Sequence, residues 1–229
     1  MSSGLKLAIF DVDGTLVDSQ AHILRSMTAA FDSVGREMPE RGAVLELVGL
    51  SLPLVIARLC PDLSDTVRDG MVATYKDTFA ATRVADGAAT APLYPDIAET
   101  LDRLARVEPL LLGVATGKSR RGLTHVLDQH GLNRRFVTQQ VADDHPSKPH
   151  PAMLEAALRD TGCDPADAVM IGDTVFDLEM ARSAGIPAIA VGWGYHPVAD
   201  LQRLSPRAMV QDTGELAATI LDVLGVSDD

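Results

Sequence analysis

The chain has 229 residues, 46% of them hydrophobic, which suffices for one large domain or for one domain carrying an insertion. The formal net charge is -12 and no Lys/Arg run occurs, which argues against nucleic acid as the main partner. No stretch of about 18 apolar residues is present, so no membrane-spanning helix is expected.

The first predicted element is the apolar run Leu5–Phe10, which stops at Asp11-Val12-Asp13-Gly14-Thr15. In a strand, residues i and i+2 point to the same side, so Asp11 and Asp13 share one crevice at the carboxyl end of a buried strand. Open α/β sheets bind their ligands at that position. Two neighbouring carboxylates repel unless a cation or a shared proton intervenes, and a hard oxygen-seeking cation such as Mg²⁺ suits them. Asp-Gly is also a common turn pair, which is the plainer reading of the same residues.

Asp18 and Ser19 are candidate N-caps for a helix carrying Ile23, Leu24, Met27, Phe31 and Val34, with Gly35 as its stop. Residues 44–60 and 64–85 also read as helical, with Gly49 and Pro53 breaking the first piece. Asp86-Gly87 signals a turn, and small residues follow up to Pro92. From residue 96 the pattern alternates: a helix on Ile97, Leu101 and Leu104, a strand Leu110–Ala115, a helix Ser119–His130, and a short strand near Phe136–Thr138. A helix Ala152–Thr161, a strand Ala168–Ile171 ending at Gly172-Asp173, a helix Val175–Ala184 and a strand Ala188–Val191 follow. A weak strand Ala208–Val210 and a helix Gly214–Leu224 complete the chain. This alternation predicts an α/β fold, a doubly wound Rossmann-like parallel sheet, built from residues 1–17 and 89–229. An all-helical domain, residues 18–88, interrupts it after the first strand.

Several strands end in polar residues that should converge on one sheet edge. Asp11 and Asp13 follow the first, Thr116-Gly117-Lys118 the second, and Gly172-Asp173 a later one, with Asp177 one helical turn on. Lys148 lies in the proline-pinned loop Pro146–Pro151. Phosphoryl transfer needs a carboxylate nucleophile, a second carboxylate as acid and base, a cation, and fixed donors for the phosphoryl oxygens. Asp11, Asp13, Asp173 and the pair Thr116/Lys148 fit those four needs in turn. Competing readings are a helix cap for Asp173-Thr174 or for Thr116, and a surface lysine for Lys148. Gly113-Val-Ala-Thr-Gly117-Lys118-Ser119 imitates a nucleotide P-loop but has three residues between its glycines where that motif needs four.

These four motifs, in this order and with a helical insert after the first, resemble the haloacid dehalogenase-like hydrolase superfamily. The insert, and the stretch Tyr94-Pro-Asp-Ile-Ala-Glu-Thr-Leu101, resemble its phosphoglycolate-phosphatase-like branch. The resemblance implies Asp11 as nucleophile and Mg²⁺ ligand, and Asp13 as acid/base binding Mg²⁺ through its backbone carbonyl. It implies Asp173 as a direct Mg²⁺ ligand, and Asp177 as its support from outside or through water. Gly14, Thr15, Thr116, Gly117 and Lys148 are the implied phosphate-binding positions. Asp13 favours phosphate-ester chemistry, since dehalogenases and phosphonatases of the superfamily tend to lack that acid. Asp96 stands where relatives often carry Gly.

The expected activity is therefore a Mg²⁺-dependent phosphatase acting on a small phosphorylated metabolite through an aspartyl-phosphate, of the phosphoglycolate-phosphatase type. Sugar-phosphate or nucleotide monophosphatases, a phosphomutase of the β-phosphoglucomutase type, and a catalytically weak binding module are the rivals. The insert is expected to close over the site, with Leu47–Leu52 as a specificity loop and Arg58 as a carboxylate contact. Of the six histidines none has paired metal-ligand spacing; His150, His196 and Trp193 are candidates for the site mouth. Cys60 and Cys163 are scattered and read as small hydrophobes in a reducing compartment. With no signal-peptide pattern at the N-terminus, a cytoplasmic monomer or homodimer is expected.

Overall fold

The computed structural model describes residues 4–86 and 91–227, and the side chains of 83–86 are left aside. Six strands form one sheet in the order β3-β2-β1-β4-β5-β6: β1 Lys6–Phe10, β2 Leu110–Thr116, β3 Thr138–Val141, β4 Ala168–Gly172, β5 Ala188–Val191 and β6 Ala208–Val210. Every neighbouring pair is parallel. The strand order turns back at β1, between β2 and β4, and such a reversal opens a crevice beyond the strand ends.

Strand β1 shows why the sheet must be covered twice. Its alternate residues point to opposite faces. Ala8 and Phe10 join Leu101, Leu104, Leu123, Val126 and Ile220 in one buried cluster. Leu7 and Ile9 join Met153, Leu154, Met170, Leu178 and Ala181 in another. Helices α5 (Ile97–Leu104), α6 (Arg120–Gln129) and α10 (Leu216–Leu224) supply the first face; α7 (Ala152–Thr161) and α8 (Val175–Ala184) supply the second.

Between β1 and α5 the described residues form four helices: α1 Gln20–Asp32, α2 Arg41–Leu45, α3 Leu52–Leu59 and α4 Asp65–Asp86. They enclose a third cluster that includes Met27, Phe31, Val44, Val55, Ile56 and Met71. Phe176 at the start of α8 packs into that cluster and ties the helical insert to the sheet. The turn expected at Gly87 and the expected boundary at 88/89 lie outside the described residues. Among the described residues no helix is long and apolar enough to cross a membrane.

The structure departs from the sequence expectation at several points. The helix expected over 44–60 is two helices, α2 and α3, and Pro53 lies in the first turn of α3. The strand expected near 136–138 lies at Thr138–Val141, because Phe136 is drawn into the core, where it meets Phe10 edge-on at 6.4 Å. Its polar sequence Thr-Gln-Gln-Val hides a strand whose buried Gln140 bonds Thr138 and Asp160. A short helix, α9 (Val198–Arg203), was not expected, since it buries Leu201 alone. The first helix ends at Asp32, and Gly35 serves the turn beyond it. The last helix starts at Leu216, after a tight 3₁₀ turn Thr213–Glu215. Asp96, at the start of α5, takes the left-handed φ of 56° that glycine adopts without penalty.

Candidate active site

Asp11 follows the last residue of β1, and its backbone N–H donates to Ile171 O at 2.9 Å, which locks it level with the end of β4. Asp173 follows β4, and Asp177 lies in the first turn of α8. One oxygen from each of Asp11, Asp173 and Asp177 lies within 4.8 Å of the others, and all three residues are fully buried. Lys148, also buried, reaches the group from the loop before α7, 2.6 Å from Asp177 Oδ1 and 3.0 Å from Asp11 Oδ1.

Each carboxylate is held differently. Asp173 accepts from Thr15 Oγ1 at 2.8 Å and from the Tyr195 backbone N–H at 2.9 Å. Asp177 Oδ2 accepts from the Thr174 N–H at 3.1 Å and from its hydroxyl at 2.7 Å, while Thr174 Oγ1 accepts from the Asp177 N–H. Thr174 and Asp177 are thus a reciprocal capping box for α8, and Asp173 takes no part in the capping. Among the described residues neither oxygen of Asp11 has a well-aligned hydrogen-bond donor, and its contact with Lys148 at 3.0 Å is an ion pair.

The electrostatics follow. Burial, with Asp177 and Asp13 nearby, raises the Asp11 carboxyl to about 7 against the pull of Lys148. Burial, then Asp177 and Asp11, push Asp173 well above the usual carboxylate range. Burial opposes the charge on Lys148, but Asp11 and Asp177 outweigh it and raise its pKa. Three buried acids around one buried lysine leave negative charge uncompensated, and among the described residues the two oxygens of Asp11 lack well-aligned donors. An all-oxygen donor set with that deficit fits a divalent cation.

Asp13 is not part of this cluster. Its carboxylate accepts from Lys118 Nζ at 2.7 and 2.9 Å and from the hydroxyl of Ser19, which in turn contacts Tyr195 Oη at 3.1 Å. Lys118 is buried in this pairing and not a solvated lysine, and it lines the cavity at the sheet edge. Ser19 stands at the N-cap of α1, but its hydroxyl serves Asp13 and not the helix.

Asp11, Asp13, Thr116 and Gly117 line one cavity of about 380 Å³ between the sheet edge and the helical insert. Gly14, Thr15 and Lys148 lie outside its lining. Gly14, at φ 86°, lets the loop pass so close to Asp173 that a Cβ would run into its carboxylate. Gly117 is required by the insert: a Cβ there would come within 2.5 Å of Gly49 O and 2.8 Å of Leu50 O. Thr116 Oγ1 accepts from the Lys118 N–H, and Ser119, not Thr116, caps α6.

Besides the Ser19 contacts, the insert is seated on the core by hydrogen bonds that include Ser51 N to Ser147 Oγ at 2.8 Å and His196 Nε2 with Glu46 O at 3.0 Å. Residues 48–52 line the cavity. Arg58 does not; its guanidinium lies 5.8 Å from the Phe176 ring centre. Trp193 Nε1 donates to Thr15 O, and neither it nor His150 or His196 lines the cavity. The sequence reading missed the roles of Lys118 and Tyr195, whose partners are distant in the chain, and of Ser19, which read as a helix cap. The Thr174-x-x-Asp177 box was legible as a capping signal.

The haloacid dehalogenase-like hydrolase family model matches residues 8–191. A protein of Dickeya dadantii named "Probable phosphatase IndB" is 32% identical over 225 residues, covering 96% of each chain. A phosphoglycolate phosphatase of Agrobacterium fabrum is 28% identical over 219 residues, covering 95% of this chain and 93% of that one. Among solved structures, a haloacid dehalogenase-like family hydrolase from Streptococcus pneumoniae superposes with a TM-score of 0.79 at 27% identity, over 95% of this chain and 99% of that one. The family model spans most of the chain and the Dickeya relative is alike over nearly its whole length, and the chain belongs to the haloacid dehalogenase-like hydrolases.

Proposed function

We propose that the protein is a Mg²⁺-dependent phosphomonoester hydrolase, phosphoglycolate-phosphatase-like in architecture, that works through an aspartyl-phosphate on Asp11. The observation that carries this is the Asp11 carboxylate itself. It is buried at the strand end, has no well-aligned hydrogen-bond donor among the described residues, faces Lys148, and opens on a cavity shared with Asp13.

An Asp11 oxygen attacks phosphorus, and the bond from phosphorus to the alcohol oxygen breaks. Asp13 gives its proton to the departing alkoxide, then takes one from the water that attacks the aspartyl-phosphate and releases inorganic phosphate. Lys148 and Thr116 are the proposed donors to the phosphoryl oxygens, with Lys148 already spanning Asp11 and Asp177. Asp11 and Asp173 would hold Mg²⁺ directly, with the Asp13 backbone carbonyl, and Asp177 would support it. When bound, the cation offsets the charge that otherwise repels an anionic substrate from an anionic nucleophile. Residues 18–88 act as a cap, excluding water while Asp11 is phosphorylated.

The test is Mg²⁺-dependent turnover across a panel of phosphate esters, with Asp11→Asn as the blank. The variant should lose about a thousandfold or more in kcat. Rapid acid quench with ³²P-labelled ester should trap a labelled wild-type protein and no labelled variant. Substantial turnover by the variant would refute the nucleophile assignment.

A further inference from the structure

The insert's side of the cavity that Asp11 lines is largely apolar, which bears on the alcohol half of the substrate. Met27, Val48, Leu50, Val55, Tyr75 and Phe79 of the insert all line it. A volume of about 380 Å³ lies within the range of roughly 300–1,000 Å³ in which drug-sized ligands bind. A phosphoryl group bearing only a two-carbon acid would leave much of that space to water, against a surface that gains nothing from water.

Charge points the same way. A carboxylate taken into an apolar cavity needs a cation or several donors. Among the described lining residues, Lys118 spends its ammonium on both oxygens of Asp13, and Lys76 and Arg121 are exposed. His22 stacks on Phe79 at 3.7 Å, but burial lowers its pKa to about 4, so it adds no positive charge at neutral pH. The rings of Tyr75 and Phe79 lie 5.8 Å apart and 20° from parallel. Such rings favour a flat ring as their neighbour.

We propose that this cavity selects a phosphomonoester whose alcohol carries an uncharged ring, and selects against small anionic alcohols such as glycolate. The proposal rests on the phosphomonoesterase reading of the site and narrows it to a substrate class.

The experiment compares 2-phenylethyl phosphate, ethyl phosphate and 2-phosphoglycolate on the Mg²⁺-loaded protein. The first two release alcohols of similar leaving ability, so their ratio reports the ring. The expected kcat/KM ratio is at least about 30-fold for phenylethyl over ethyl, about 2 kcal/mol at roughly 1.4 kcal/mol per tenfold. Phosphoglycolate should fall at or below ethyl phosphate. Phe79→Ala should shrink the phenylethyl-to-ethyl ratio by about fivefold or more. Phosphoglycolate or ethyl phosphate turned over as well as the phenylethyl ester would overturn the proposal. Calorimetric binding of 2-phenylethylphosphonate and ethylphosphonate to the wild-type protein separates the two readings. Absence of hydrolysis with a clear preference for the phenylethyl phosphonate overturns the phosphatase reading and keeps the ring preference. Equal phosphonate affinities overturn the ring preference whether or not esters are hydrolysed.

Discussion

Lys118 clasps both oxygens of Asp13, at 2.7 and 2.9 Å, across 105 residues of sequence. The pair is shielded, with side-chain exposures of 6% and 13%, so solvent weakens it little. It fixes the second carboxylate of the first motif at the cavity wall and away from the cluster of Asp11, Asp173 and Asp177.

Replacing that lysine should loosen Asp13 while sparing the nucleophile. Lys118→Met is expected to lower kcat by about 10–100-fold, within the contribution of general acid–base catalysis. The loss should be larger for esters of poorly leaving alcohols, steepening the dependence of kcat on leaving-group acidity. An unchanged slope in a leaving-group series would remove Lys118 from the catalytic step.

Lys148 balances two buried carboxylates. Lys148→Met keeps much of the volume but leaves both acids uncompensated, which should cost about 3–5 kcal/mol. Urea unfolding without metal reads the loss directly, and Mg²⁺ should return part of it. Wild-type stability in the metal-free variant would show that the ion pairs contribute nothing.

Gly117 meets the helical insert where a side chain cannot fit. In Gly117→Ala the new methyl must displace Gly49 and Leu50, lifting the loop from the cavity mouth. We expect kcat/KM to fall on the order of 10–100-fold, the scale of a displacement near 1 Å at an active site. Hydrogen exchange in residues 48–52 should quicken, with the sheet unaffected. Wild-type exchange in that loop would count against this.

The acidic cluster predicts how pH and Mg²⁺ act together. The Asp11 carboxyl is raised from 3.8 to about 7, and Asp173 is raised too, chiefly by burial. A raised acid stabilises the fold below its unfolded value, and that stability is lost as pH rises through the folded value. The metal-free protein should therefore lose this contribution between about pH 4 and pH 7. A cation that competes with the proton gains affinity over the same range. His22, lowered to about 4 by burial, acts with the opposite sign, but equally with and without metal, so it cancels in the difference. The rise in Tm produced by Mg²⁺ should grow from about pH 5 to pH 8; a constant or shrinking rise would contradict the assignment.

Much of the fold is legible in the order of residues, because its signals are local. A buried parallel strand is a short apolar run, and Ala152–Thr161, Val175–Ala184 and Ala188–Val191 begin and end where periodicity places them. Asp11 and Asp173 stand out because a carboxylate directly after such a run lies at the ligand edge of the sheet. Local pattern fails where tertiary contact overrules it. Phe136 leaves the strand that its apolar character suggests, and the polar strand Thr138–Val141 is recognisable only beside β2.

The sequence by itself determined a parallel α/β fold with a helical insert, and the acidic residues of the strand edge, since each depends on spacing along a few turns or strands of chain. Only the tertiary structure decided that Lys118 holds Asp13, that Thr15 and Gly14 serve Asp173, that Gly117 admits the insert, and that apolar residues of the insert share a cavity with Asp11. Each of those joins residues far apart in sequence, and such a partner is chosen by packing, which no local pattern encodes.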